Sequence, residues 1–71
     1  MKRELVDSRA IKSIGYNEDK KLLEVEIWES GRIYQYNDVP LEEYFDFMDA
    51  KSLGEYYNRV IKTKYEYKEL A

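Results

Sequence analysis

The segment Trp28-Glu29-Ser30-Gly31-Arg32-Ile33-Tyr34-Gln35-Tyr36 reads as the end of one strand, a reversal, and the start of the next. Ser30-Gly31 is the reversal, with glycine free to take the positive φ that tight hairpin turns require. On the outgoing strand, residues two apart share a face. Tyr34 and Tyr36 therefore stand side by side with Arg32 in line, while Ile33 and Gln35 point the other way. This short aromatic and cationic row is either the lid of the core or the floor of a binding surface.

Upstream, Leu23, Val25 and Ile27 alternate with Glu24 and Glu26 in the clearest period-two pattern of the chain, and the glutamates are expected to face water. Asn17-Glu18-Asp19-Lys20 is a polar turn, and residues 10 to 16 alternate as an earlier strand. Three strands with short links make an antiparallel meander, whose apolar face needs a cover. Residues 1 to 7 are expected to fray or to form a short lead-in.

Downstream, Asp38-Val39-Pro40 turns into a helix on which Leu41, Tyr44, Phe45 and Met48 fall at i, i+3, i+4 and i+7, opposite Glu42, Glu43, Asp46 and Asp49. A second helix opens on the capping-box pattern Ser52-Leu53-Gly54-Glu55. Its buried stripe is Leu53, Tyr56, Tyr57, Val60 and Ile61. The alternation Tyr65-Glu66-Tyr67 is too short and too charged for a core strand, and it either pairs at a sheet edge or hangs free, with 68 to 71 frayed. The expected fold is α+β: a three-stranded antiparallel β-meander packed against two C-terminal α-helices, forming one domain over residues 1 to 71.

With 71 residues, no Cys and no His, the chain lacks disulfides, thiolate chemistry, the usual neutral-pH proton shuttle and the commonest metal ligand. No catalytic residue, cofactor or metal is called for. Ser8, Ser13, Ser30 and Ser52 have no His to activate them. The paired acids Glu24/Glu26 and Glu42/Glu43 read as solvated faces, and no Asp-x-Asp-x-Asp-Gly loop occurs. There is no membrane-spanning run and no apolar signal-peptide stretch, so a cytoplasmic location is the expectation. A chain this small is also a candidate homo-oligomer.

The net charge of −3 opposes sequence-blind binding to duplex nucleic acid, which rests on neutralising many phosphates. The charge is unevenly spread. Residues 37 to 50 are acidic without a basic residue, whereas 51 to 68 carry Lys51, Arg59, Lys62, Lys64 and Lys68.

Taken together, Ser8, Ile11, Ile14-Gly15-Tyr16, Leu23-x-Val25-x-Ile27, Gly31, Tyr34-x-Tyr36, Val39-Pro40, Tyr56-Tyr57-Asn58-x-x-Ile61 and Tyr65-x-Tyr67 resemble the KTSC domain. That family takes its name from the C-terminal extension of some lysyl-tRNA synthetases and also occurs as small free-standing proteins of bacteria and phages. The resemblance implies that Tyr34 and Tyr36 are the family's central tyrosine pair and that Tyr57, Asn58 and Ile61 are its second-helix signature. It also implies nucleic-acid binding, by association with the synthetase.

The candidate ligand-binding residues are Arg32, Tyr34, Tyr36, Tyr57, Asn58, Arg59, Lys62, Lys64, Tyr65 and Tyr67. Bases stack on aromatic rings for about 1–3 kcal/mol each and cations hold phosphates. The function expected is a non-catalytic binding module for a nucleotide-like small molecule, able to sequester a nucleotide signal in a phage or bacterial setting. The alternatives are single-stranded RNA or tRNA binding, and a protein-interaction module.

Overall fold

Alternation at Leu22–Ile27 builds β3, the middle strand of a single antiparallel sheet. In the computed structural model, which describes residues 1–71, the strands lie in chain order: β1 (Glu4–Leu5), β2 (Ile11–Asn17), β3, β4 (Ile33–Tyr36) and β5 (Tyr67–Glu69). The fold is α+β, but the sheet has five strands where three were expected. The two helices lie between β4 and β5 and are not C-terminal.

The two strands that the pattern missed are its edges. Each is two or three residues long and exposed, too short for alternation to register. They are recognised by pairing, not by composition: Val6 donates its amide to Lys12 at 3.1 Å, Asn37 to Glu66 at 2.9 Å and Leu70 to Ile33 at 2.7 Å. The charged residues of β5, Lys68 and Glu69, suit an edge that must not recruit further strands.

Gly31 takes φ 71° in the β3–β4 turn, as that reversal requires. In register, Leu23 faces Tyr36 and Val25 faces Tyr34 across β3–β4, and Tyr36 faces Tyr67 across β4–β5. All these side chains therefore share one face. Between Ile11 and Ser13 the β2–β3 register slips by one residue. This bulge at Lys12 brings Ile11 onto the same face as Ile14, against the parity of the sequence.

That face carries α1 (Leu41–Met48) and α2 (residues 53–64). Ser52 caps α2 by accepting from the Glu55 amide at 3.2 Å, half of the expected box. The middle of α2, Tyr57–Ile61, is wound as a π-turn, a rare insertion within α-helices that is frequent at functional sites. The core is Ile11, Ile14, Leu23, Val25, Tyr36, Val39, Phe47, Tyr57 and Ile61.

α1 is rotated from the orientation its apolar spacing predicts. Phe45 is 55% and Met48 37% exposed, while Phe47 is fully buried and Glu43 is 6% exposed. A carboxylate on the stripe disguised the true inward arc of Glu43, Tyr44 and Phe47. Phe47→Ala is expected to cost about 3–5 kcal/mol, and Phe45→Ala under about 0.5 kcal/mol, in urea denaturation.

Candidate functional site

Between the helix-side face of β3–β5 and the π-turn of α2 lies an open hollow of about 350 Å³. Tyr34, Tyr36, Tyr57, Asn58, Lys62 and Tyr67 line it, with Ala10, Ile27 and Ser30 at its margin. Six of the ten candidate residues are thus brought together. The sheet supplies Tyr34 and Tyr36 from β4 and Tyr67 from β5, and α2 supplies Tyr57, Asn58 and Lys62.

The rings form a joined wall. Tyr34 meets Tyr67 edge-on with centroids 5.3 Å apart, and Tyr67 lies 5.5 Å from Tyr36. Tyr36 and Tyr57 form a second edge-on pair at 5.9 Å, with their hydroxyls hydrogen-bonded at 2.6 Å. Both are almost fully buried, so they are core residues as well as the floor of the hollow. Burial pushes both phenols above their ordinary pKa, so they remain neutral donors near neutral pH. Tyr67 is 57% exposed and forms the outer wall.

The candidate cations divide. Lys62 makes no ion pair and its ammonium lies 5.9 Å from the Tyr57 ring centroid, within cation–π range. Asn58, one turn earlier, is exposed and makes no side-chain hydrogen bond within the chain. The other three candidate cations are not among the residues that line the hollow. Arg32 is paired with Glu69 at 2.9 Å and Arg59 with Glu55 at 3.0 Å. Arg59 lines a separate depression beside Lys51, Ser52 and Tyr56. Lys64 is paired with Glu43 at 3.0 Å.

Tyr65 also leaves the candidate set, because its hydroxyl donates to Glu43 at 2.8 Å. Glu43 takes a third hydrogen bond from the Tyr56 hydroxyl, so one carboxylate holds together α1, α2 and the approach to β5. Sequence reasoning put Glu43 in water. Its spacing of four residues from Phe47 is the signal that places it on the buried arc of α1. Burial pushes its pKa up, but the hydrogen bonds from Tyr56, Lys64 and Tyr65 outweigh that and leave it below the ordinary carboxylate value. The Tyr56 phenol is pushed up to about 12, chiefly by its bond to Glu43.

The opposite face of the sheet is not bare either. Glu24, expected in water, is 5% exposed. Arg3 reaches it at 2.8 Å and Gln35 at 2.8 Å, while Ser13 donates to Glu26 at 2.7 Å. The N-terminal strap lies so close that a Cβ on Gly15 would meet the Lys2 carbonyl oxygen at 2.8 Å. No group of three or more acidic, Cys or His side chains is placed to hold a metal ion. No helix is long and apolar enough to cross a membrane.

Because the folded pKa of Glu43 is depressed, the stability it contributes is complete above the ordinary carboxylate pKa and is lost as pH falls through the folded value. Urea midpoints measured from pH 7 down to pH 3 should therefore fall less steeply for Glu43→Gln than for the wild type. Glu43→Ala, which strands two hydroxyl donors, should cost about 1–3 kcal/mol at pH 7.

Comparison with known proteins places this geometry in a family. The family model of the KTSC domain matches residues 7–65. A protein of Stutzerimonas stutzeri strain A1501 is 38% identical over 65 residues, covering 92% of this chain and 90% of that one. A lysine–tRNA ligase of Nostoc punctiforme is 31% identical over 65 residues, which are 92% of this chain but 11% of that enzyme. The crystal structure of a KTSC domain protein from Yersinia pestis superposes with a TM-score of 0.92 at 38% identity, covering 99% of this chain and 97% of that one. Sequence spacing, sheet order and these likenesses agree: the chain belongs to the KTSC domain family.

Proposed function

We propose that this chain is a non-catalytic binding domain for a nucleotide-like small molecule, received in the hollow between β3–β5 and α2. The observation that carries the reading is the convergence of Tyr34, Tyr36, Tyr57, Tyr67, Asn58 and Lys62 on one open concavity of about 350 Å³. That volume lies at the small end of ligand sites, which span about 300–1,000 Å³ and are mostly apolar with a few placed polar groups.

The chemistry divides by element. The rings of Tyr34 and Tyr67 offer faces and edges to a planar base. Asn58 offers both a donor and an acceptor to a base edge. Lys62 offers a point charge to a phosphate. In a bacterial or phage-infected cell, a domain of this kind would hold a nucleotide signal out of circulation.

A second reading, binding of single-stranded RNA or tRNA, is favoured by the presence of a homologous segment in the Nostoc lysine–tRNA ligase. Tracking a strand requires several cations along one groove, whereas the aromatic hollow is lined by a single cation, Lys62. This ranks the small-molecule reading first.

Thermal-shift measurements with nucleosides, mononucleotides and cyclic nucleotides test the proposal. A ligand at about a hundred times its Kd adds about 2.7 kcal/mol, which for a domain this small raises Tm by about 10 °C or more. Tyr67→Ala should reduce that shift without unfolding the chain, since Tyr67 is on an exposed edge strand. If no nucleotide moves Tm and single-stranded RNA binds with an affinity that collapses as salt rises, the RNA reading replaces it.

A further inference from the structure

Within the hollow, positive charge comes from one side chain, and this bears on which nucleotides fit. We infer that the site takes a ligand bearing a single phosphate, a nucleoside monophosphate in open or cyclic form, in preference to di- and triphosphates. The inference rests on the small-molecule reading above and adds the charge of the guest.

Lys62 is the only charged residue among those lining the hollow, and it has no carboxylate partner. Its ammonium, poised over the Tyr57 ring at 5.9 Å, is held by a neutral π-face and keeps its full charge for a guest. Ser30, at the margin, already accepts from the Arg32 amide at 3.2 Å. Its hydroxyl proton remains available to a ribose or phosphate oxygen. One cation and one hydroxyl serve one phosphate.

A second or third phosphate would have to leave this end of the hollow, and each route meets charge that is already compensated. Beyond Tyr34, the residue opposite it on β5 is Glu69, whose carboxylate holds Arg32. On α2, the residue after Asn58 is Arg59, which is tied to Glu55 and lines a different depression. Using either arginine means breaking its ion pair and leaving a carboxylate facing the polyphosphate. An anion placed against an unpaired carboxylate is repelled, so added phosphates gain no partner here.

The Tyr36 and Tyr57 hydroxyls do not change this count. They are bonded to each other at 2.6 Å on rings that are almost fully buried, and they carry no charge for a further phosphate.

Isothermal titration with adenosine, AMP, ADP and ATP, repeated with the guanosine, cytidine and uridine sets in magnesium-free buffer at low salt, tests the inference. The expected result is that for the preferred base the monophosphate binds about tenfold or more tighter than its nucleoside. The di- and triphosphates should bind more weakly than the monophosphate, and equal or tighter binding overturns the inference. Lys62→Gln should remove the advantage of the monophosphate over the nucleoside while leaving nucleoside affinity within about twofold, a separation that a merely structural role for Lys62 would not produce. Affinity that rises steadily from mono- to triphosphate overturns the inference while leaving the nucleotide reading intact, as does a Lys62→Gln variant that weakens nucleoside and monophosphate equally. If no nucleoside or nucleotide binds at all, the nucleotide reading itself fails.

Discussion

A buried carboxylate is the constraint on which most of the structure depends. Glu43 is 6% exposed, and an anion removed from water is tolerated only when donors replace its hydration. Tyr56 and Lys64 from α2 and Tyr65 from the segment leading to β5 supply them. To receive those bonds α1 must turn Glu43 inward, which carries Phe47 into the core and leaves Phe45 outside. Because Tyr65 is fixed to Glu43, the chain leaves α2 in a set direction, and Tyr67 two residues later reaches the edge of β4 opposite Tyr36. The outer wall of the hollow is thus positioned by a carboxylate that is not in it.

The inner wall is set by a second polar contact. Tyr36 and Tyr57 meet through their hydroxyls at 2.6 Å, linking the sheet to α2 at the depth where each ring would otherwise bury an unpaired oxygen. Along the π-turn Tyr57–Ile61, Tyr57 and Ile61, four residues apart, both reach the core, while Asn58 and the next residue after the turn, Lys62, line the hollow. Core packing and surface chemistry are therefore the work of one short run, Tyr57 to Lys62. A ring that is almost sealed by its neighbours also presents a pre-ordered floor, which spares a ligand the cost of immobilising it.

How much of this was legible follows from the period and length of each element. The β3 alternation and the Ser30-Gly31 reversal were readable, because burial of one face leaves a period-two trace, whereas whether Tyr34 and Tyr36 meet the second helix was not. The edge strands were not, since Glu4–Leu5 and Tyr67–Glu69 are too short to carry a period and are held by backbone bonds that no side chain announces. The bulge at Lys12 inverted the parity of β2 locally and hid Ile11. The acids misled most. Glu24 and Glu43 read as solvated because charge usually is, and only the partners contributed by distant parts of the chain, Arg3 and Gln35 for one and Tyr56, Lys64 and Tyr65 for the other, make burial affordable.

The same matching explains why the candidate set of cations shrank. A basic stretch at 51 to 68 and an acidic one at 37 to 50 look in sequence like two opposed faces. In the fold, Lys64 crosses to Glu43, Arg59 folds back on Glu55, and Arg32 reaches Glu69. The exposed pairs among these, Arg59–Glu55 and Arg32–Glu69, contribute little to stability, typically about 0–1 kcal/mol, but each lowers the field that either partner projects. Local charge at a site is what survives such pairing, and neither net charge nor a run of lysines measures it. In this chain what survives beside the tyrosine wall is Lys62, and the recognition chemistry of the hollow follows from that one ammonium set among neutral rings.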